Sequence, residues 1–381
     1  MFGRPGQSDP QSASYAAISD IRDNPRAGRM FQPRILQNCS VGEVMKFNHE
    51  PLATARRNGQ NECIYNGSVA VVDATGRLIA YVGDPASHVW SRSSLKPFQA
   101  LPFALAGGID TFDFSEAQTA LTCASHSGED IHISAVSDML RKIECTEHDL
   151  GCGCHLPERF QKGETPPAGF VLDQRHNNCS GKHAGFLAYC RMAGLSTGDY
   201  LDPFHPLQRK IVKVVCDLAD LKANDLWYGT DGCNAPNIGL PLSRLARMWA
   251  RFGAARQDGD EYQRAMSRLR SAMAHHPGMY SGTGRADNAL TSAGKGAWVS
   301  KTGAEGVRCV GIRTHGLGVA LKVGDGNYPT AYAVTIEVMR QLGILDDHTF
   351  DELREWANPV PRNCVGRAVG DLSCDFELKF I

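Results

Sequence analysis

The stretch GAWVSKTGAEGVRCVGIRT, residues 296–314, decides the fold. Its Val, Ile and Trp residues interspersed with Gly read as strand, and it pairs with LGVALKVGDG, residues 317–326, around His315 and Gly316. The next segment, YPTAYAVTIEVMRQLG at 328–343, changes to the three- and four-residue apolar spacing of an amphipathic helix that ends at Gly343. Toward the N-terminus, ECIYNGSVAVVDATGRLIAYVGD (62–84) reads as two strands joined at ATGR. Between these two strand regions, from Ser93 to about Arg270, helical spacing dominates: EAQTALTCAS, HISAVSDMLRKIE, KHAGFLAYCRMAG, PLQRKIVKVVCDLADL and LPLSRLARMWARFG.

The expected layout is therefore sheet, large helical insertion, sheet again. Strands from the two ends of the chain should pair with each other, giving an α/β fold with an antiparallel sheet and a large helical lobe, one domain over residues 36–381. Residues 1–35, rich in Ser, Asp, Arg, Pro and Gly without periodicity, are expected to form a flexible extension. No internal repeat interrupts this order.

Charge and composition exclude several functions. Forty basic residues against 41 acidic ones leave a net charge of −1, with no positive field to attract a phosphate backbone. Nucleic acid is not an expected partner. The apolar runs fall short of the roughly 20 residues that cross a bilayer, and no signal-peptide core is present, so the expected location is cytoplasmic. In that compartment the 13 cysteines should be reduced thiols or metal ligands.

Chemistry enters with WSRSSLKPFQALP, residues 90–102, where Ser93 and Lys96 are three apart. On a helix such residues share a face, and a neutral lysine beside a hydroxyl accepts its proton and turns it into a nucleophile. A lone match is equally a polar helix end. The chain contains a second, Ser292 and Lys295, but it lies six residues before Lys301, which leaves no room for a serine loop between the motifs. Order separates the two. After Ser93 and Lys96 come ASHSGED, with Ser125 and Ser127, and then Lys301, Thr302 and Gly303 on the strand within residues 296–314. Ser-x-x-Lys, a serine loop, then Lys-Thr-Gly on a strand is the chain order of penicillin-recognising serine hydrolases. Alternation along the strand puts Lys301 and Gly303 on one face, so that Lys301 can meet Ser125.

RSSLKPFQALP, ASHSGED, CGCHLP, HNNCSGKHAGFL, DGCNAPNIGLPL, HPGMYSGTGR, KTGAEGV and GLGVALKVGDG occur in order between about residues 62 and 326. As a set they resemble the Rhizobium-type, class 3 asparaginases. The resemblance implies a serine β-lactamase-like fold and hydrolysis of L-asparagine to L-aspartate and ammonia by two Ser-Lys pairs, Ser93 with Lys96 and Ser125 with Lys301. It further implies a zinc site at Cys179, Lys182 and Cys233, and substrate contacts from Arg92 and Asp231. One segment departs from the family pattern: ESxHxG is replaced by ECIYNG, with Cys63 and Tyr65.

Spacing alone would leave Cys179 and Cys233 as small buried residues. The CGCH cluster, Cys152, Cys154 and His155, is more crowded than ordinary zinc spacing, and His275 and His276 before Pro277 belong to a turn. The expected protein is an amidohydrolase with Ser93 as nucleophile and Lys96 as its base, zinc as cofactor and L-asparagine as partner, with a homodimer left open. Its rivals are a β-lactam or D-amino-acid peptide hydrolase and a catalytically silent zinc-binding protein. Lysine bases also imply an alkaline optimum, with a rising limb near about pH 8 if burial depresses the pKa by roughly two units.

Overall fold

Alternation along one strand defines the layers. Strand β1 spans Glu50–Arg57, β2 Gln60–Asp73, β3 Leu78–Val82, β4 His88–Trp90, β5 Trp227–Thr230 and β6 Pro236–Pro241. They are followed by β7 Trp298–Gly303, β8 Val307–Ile312, β9 Leu317–Val323, β10 Asp371–Cys374 and β11 Lys379–Phe380. In the second half of β2, Ala70 and Val72 point into one core, shared with the helical lobe, while Val69 and Val71 point into a second core on the other face. The strand is buried on both faces, which is why its sequence runs continuously apolar instead of alternating with polar residues. The protein is described here by a computed structural model covering residues 47–381. The flexible extension expected at residues 1–35 lies outside the described residues.

The main sheet runs β10-β1-β2-β9-β8-β7, all antiparallel, with β3 paired to β2 and β11. Strands from the two ends of the described chain do pair: Val69 faces Leu321 across β2 and β9, and Thr54 faces Ser373 across β1 and β10. The hairpin expected at ATGR is present between β2 and β3, closed by the Asp73 carboxylate accepting the backbone N–H groups of Thr75 and Arg77 at 2.9 and 3.0 Å.

Among the helices of the described residues are α1 Lys96–Gln99, α2 Glu116–Leu121, α3 Asp130–Lys142, α4 Ser180–Met192, α5 Pro206–Ala219, α6 Leu242–Ala254, α7 Glu261–His275, α8 Ala286–Ala293 and α9 Tyr328–Gln341. Local chemistry marks their ends. Ser115 and Gln118 form a reciprocal capping box at the start of α2, at 3.2 and 3.0 Å. Asn327 caps α9, and Gly343, at φ +68°, follows its end where the sequence placed the stop. Helix α6 lays Leu245, Met248, Trp249 and Phe252 into the core between sheet and helical lobe, and α9 covers the opposite face with Val334, Val338 and Met339.

The helical insertion is not purely helical. β4, β6 and β5 form a separate three-stranded antiparallel sheet beside it. These strands are three to six residues long and carry Gly229, Pro236, Gly239 and Pro241, which dilute the alternation that signals a strand. The small sheet matters because β4 and β6 flank the turn that carries Ser93.

Candidate active site

Strand β4 ends at Trp90 and the chain enters a tight 3₁₀ turn, Arg92–Leu95, before α1 begins at Lys96. Arg92 opens this turn with φ +49°, in the left-handed region that non-glycine residues avoid. The turn is anchored from outside: the hydroxyl and N–H of Ser91 both bond the Ile238 carbonyl, at 2.6 and 3.0 Å, and the Arg92 N–H bonds the Asn237 side-chain oxygen at 3.2 Å. Strand β7 presses close, so a methyl group added at Gly303 would stand 2.9 Å from the Ser91 carbonyl oxygen. Glycine in Lys-Thr-Gly is what lets the strand approach the turn.

Lys96 is fully buried, and its amine makes no hydrogen bond to the Ser93 hydroxyl among the described residues. It donates to the Ala124 carbonyl and, at 2.8 Å, to the hydroxyl of Ser125. Ser93 contacts Lys96 through the backbone, its carbonyl accepting the Lys96 N–H. Its half-buried hydroxyl makes no hydrogen bond among the described residues. The three-residue spacing predicts a shared face, and a 3₁₀ turn over residues 92–95 also brings residues three apart onto one face, but the Lys96 amine is committed to the Ala124 carbonyl and the Ser125 hydroxyl.

Ser125 lies just past α2 on a segment fixed from two sides. Its N–H donates to the Tyr280 carbonyl at 2.9 Å, and the N–H of His126 donates to the Asn178 carbonyl at 3.1 Å. Because Gly128 N–H donates to Nδ1 of His126, the other ring nitrogen carries the proton and donates to Ser180 at 2.8 Å. Burial holds His126 well below the usual histidine range, so it stays a neutral strut.

From the other side, β7 delivers Lys301, also fully buried, whose amine stands 2.9 Å from the Ser125 oxygen and 3.1 Å from the Thr302 carbonyl. The pairing of Ser125 with Lys301 expected from strand alternation is therefore the geometry found, and Lys96 joins it. Burial lowers the Lys301 pKa to about 7 against the raising influence of Asp287, with the nearby charges of Lys96 and Arg285 lowering it further. Asp287, itself buried, accepts the Thr302 N–H at 2.7 Å and bonds Ser300 and Arg308, both at 3.0 Å. Burial alone would raise its pKa, but Arg308 and Lys301 hold it at about 2. Arg308 in turn packs its guanidinium over the Tyr332 ring at 4.7 Å.

Cys179 caps α4, Lys182 sits in its first turn and Cys233 lies on the loop between β5 and β6. All three are buried, with 3.1 Å between the Lys182 nitrogen and the Cys233 sulfur. Gly181 lets α4 pack closely on the end of α2, since a side chain there would press into the Leu121 carbonyl. The Cys179 thiol bonds the Cys233 sulfur, which raises the pKa of Cys179 and lowers that of Cys233; the negative Cys233 keeps Lys182 charged in spite of its burial. No group of three or more His, Cys, Asp or Glu side chains among the described residues forms a metal cage. Two buried sulfurs and one buried amine are nevertheless a donor set that suits zinc, with a fourth position left over. Arg92 and Asp231 are also brought together, but on each other: an ion pair of 2.9 Å joins the Ser93 turn to the Cys233 loop.

The remaining sequence candidates separate cleanly. Ser292 and Lys295 are exposed, away from the buried amines. Cys152 is buried and Cys154 exposed, while His155 accepts the Asn178 N–H at 2.8 Å, so CGCH is a piece of local structure. His275 and His276 both face Glu116, at 2.8 and 3.4 Å. Cys63 is exposed on β2. A cleft of about 810 Å³ is lined by His126, Ser127, Glu158, Arg285, Tyr328 and Tyr332 among others. Arg285 ends the HPGMYSGTGR segment, yet neither it nor Asp287 carries a spacing signal that marks a role.

An α/β protein with a serine hydroxyl held between two buried lysine amines is the class this geometry defines. A family model described as L-asparaginase II matches residues 53–374. The chain belongs to that family, and so to the amidohydrolases that convert L-asparagine to L-aspartate and ammonia. Comparison with curated proteins gives no significant match. Solved structures that resemble it include one described as Mglu in its native form, at 14% identity, covering 74% of this chain and 67% of that one with a TM-score of 0.42. Another is a β-lactamase from Mycobacterium bovis, at 13% identity, covering 72% of this chain and 94% of that one with a TM-score of 0.38.

Proposed function

We propose that asparagine hydrolysis proceeds through an acyl-enzyme on Ser125, with Lys301 as the base. The observation that carries this reading is the Ser125 oxygen between two buried amines, 2.8 Å from Lys96 and 2.9 Å from Lys301. Two ammonium groups crowded on one oxygen repel, so one lysine gives up its proton, and Lys301 is the one whose pKa is lowered to about 7. Neutral Lys301 takes the hydroxyl proton as the Ser125 oxygen bonds the side-chain amide carbon. The C–N bond then breaks, and the proton held by Lys301 leaves with ammonia. Water attacks the resulting ester, returning a proton to Ser125 as aspartate departs.

Lys96 donates a hydrogen bond to the Ser125 oxygen, lowering the cost of negative charge there as the proton departs. A second reading has Ser93 attack and the Lys96–Ser125–Lys301 chain carry its proton; the free, half-buried Ser93 hydroxyl favours it. Cys179, Lys182 and Cys233 would hold zinc, which when bound supplies a fixed positive charge to orient the substrate. Arg92 and Asp231 support the substrate side by locking the Ser93 turn to the Cys233 loop.

The test is ammonia release from L-asparagine, L-glutamine and a chromogenic β-lactam with purified protein, followed by mass mapping of the acylated peptide after rapid quenching with asparagine. Label on the Ser125 peptide supports the first scheme, and label on the Ser93 peptide the second. Preferential hydrolysis of the β-lactam would overturn both.

A further inference from the structure

Asparagine differs from a simple amide by carrying a carboxylate and an ammonium group on its α-carbon, and recognising it requires a cation and an anion near the reacting hydroxyl. The large cleft beside Ser125 holds such a pair. Arg285 and Glu158 both line it, together with His126 and Ser127, the two residues that follow Ser125. The Glu158 N–H donates to the Ser127 carbonyl at 2.9 Å, which fixes the pair to the reacting loop. The charge of Arg285 is felt at Lys301, His126 and His132, so it lies within electrostatic range of the centre.

The guanidinium is only partly used. Its Nη1 bonds Glu158, whose other oxygen takes Lys162 at 2.7 Å. Nε and Nη2 make no hydrogen bond among the described residues. Those two nitrogens share one edge of the planar group, and that edge matches the two oxygens of a carboxylate. Glu158 both sets the orientation of the fork and leaves a negative charge beside it.

We propose that Arg285 anchors the α-carboxylate of the substrate amino acid through this free edge, with Glu158 facing the α-ammonium group. The assignment rests on the reading of Ser125 as the reacting centre. It makes the cleft selective for a free α-amino acid over an amide that lacks the carboxylate.

The experiment compares L-asparagine with 3-aminopropanamide, which is asparagine without its carboxylate, in the wild type, Arg285→Gln and Arg285→Lys. Assayed well above the pH of the Lys301 limb, where the loss of the Arg285 charge no longer changes the fraction of neutral base, Arg285→Gln is expected to lose about 100-fold in kcat/KM for asparagine, mostly through KM, and less than about threefold for 3-aminopropanamide. Arg285→Lys should recover part of the loss. Calorimetric binding of L-aspartate against 3-aminopropanoate gives the same comparison without turnover, and a thermal melt checks that each variant is folded; if Arg285→Gln is not, Arg285→Lys carries the test. Equal losses on both substrates, or unchanged kcat/KM for asparagine, would overturn the assignment. Ser125→Ala separates the two readings, because failure of the nucleophile assignment shows as retained turnover of both amides whatever Arg285 does.

Discussion

The Asp287 carboxylate stands 3.6 Å from the Lys301 amine and 3.0 Å from the Arg308 guanidinium, so one buried anion is shared between two buried cations. Burial outweighs the attraction of Asp287 and, with the charges of Lys96 and Arg285, leaves the Lys301 pKa at about 7. A lysine base works only when neutral, so turnover should rise with pH through about 7, lower than the pH of about 8 expected from the sequence. Asp287→Asn removes a charge that favours the protonated amine, and the rising limb should move to lower pH; Arg308→Gln frees Asp287 to pair with Lys301, and the limb should move up. The pH profile of kcat at saturating asparagine checks both directions, with a thermal melt to exclude unfolding. A limb that moved in the same direction in both variants would remove Asp287 from this role.

The two serines should respond differently to truncation. Ser125→Ala is expected to lower kcat by about 1,000-fold or more, since both lysines lose the oxygen they share. Ser93→Ala should leave the two amines and Ser125 in place and cost much less, about tenfold. Steady-state kinetics on asparagine, with circular dichroism to confirm folding, gives the comparison. The reverse ranking would transfer the nucleophile to Ser93.

Elemental analysis of protein purified without chelator should find about one zinc per chain, and the double variant Cys179→Ala, Cys233→Ala should find none. Zinc content should fall toward acid pH because sulfur ligands must lose their protons to bind. A chelator should lower the thermal midpoint of the wild type and leave the double variant unmoved. Equal zinc in both proteins would place the metal elsewhere.

Gly181→Ala pits two effects against each other. Alanine within a helix gains up to about 1 kcal/mol over glycine. Here the new methyl group would press into the Leu121 carbonyl, and overpacking costs about 1–3 kcal/mol. The clash should win, giving a net loss of about 1–2 kcal/mol in denaturant unfolding and, with α4 displaced, weaker retention of zinc. A more stable variant would mean that α4 shifts without strain.

Much of this was legible in the sequence because it was local. The alternation of side chains along β7 turned Lys301 toward Ser125, and the ATGR hairpin and the Gly343 helix stop follow from neighbouring residues alone. What stayed hidden was long-range or conformational. The reach of Lys96 to Ser125 joins residues 29 positions apart, which the Ser-x-x-Lys spacing does not encode. Arg285 and Glu158 are 127 positions apart and meet only once the chain has folded. The β4-β6-β5 sheet escaped because its strands are short and interrupted by Gly and Pro.

The pairing of β10 with β1 and of β11 with β3 has a consequence for biosynthesis. On the ribosome, β1 and β3 are made some 300 residues before the partners that cover them, so each spends most of translation as an open edge able to recruit a neighbouring chain. The exposed charges of Arg57 on β1 and Glu62 on β2 lie in that vulnerable hairpin and would discourage such recruitment. A chain truncated just before Asp371 should therefore keep both edges open and aggregate, even though the two lysines, Ser125 and the sulfur pair all lie upstream of the truncation.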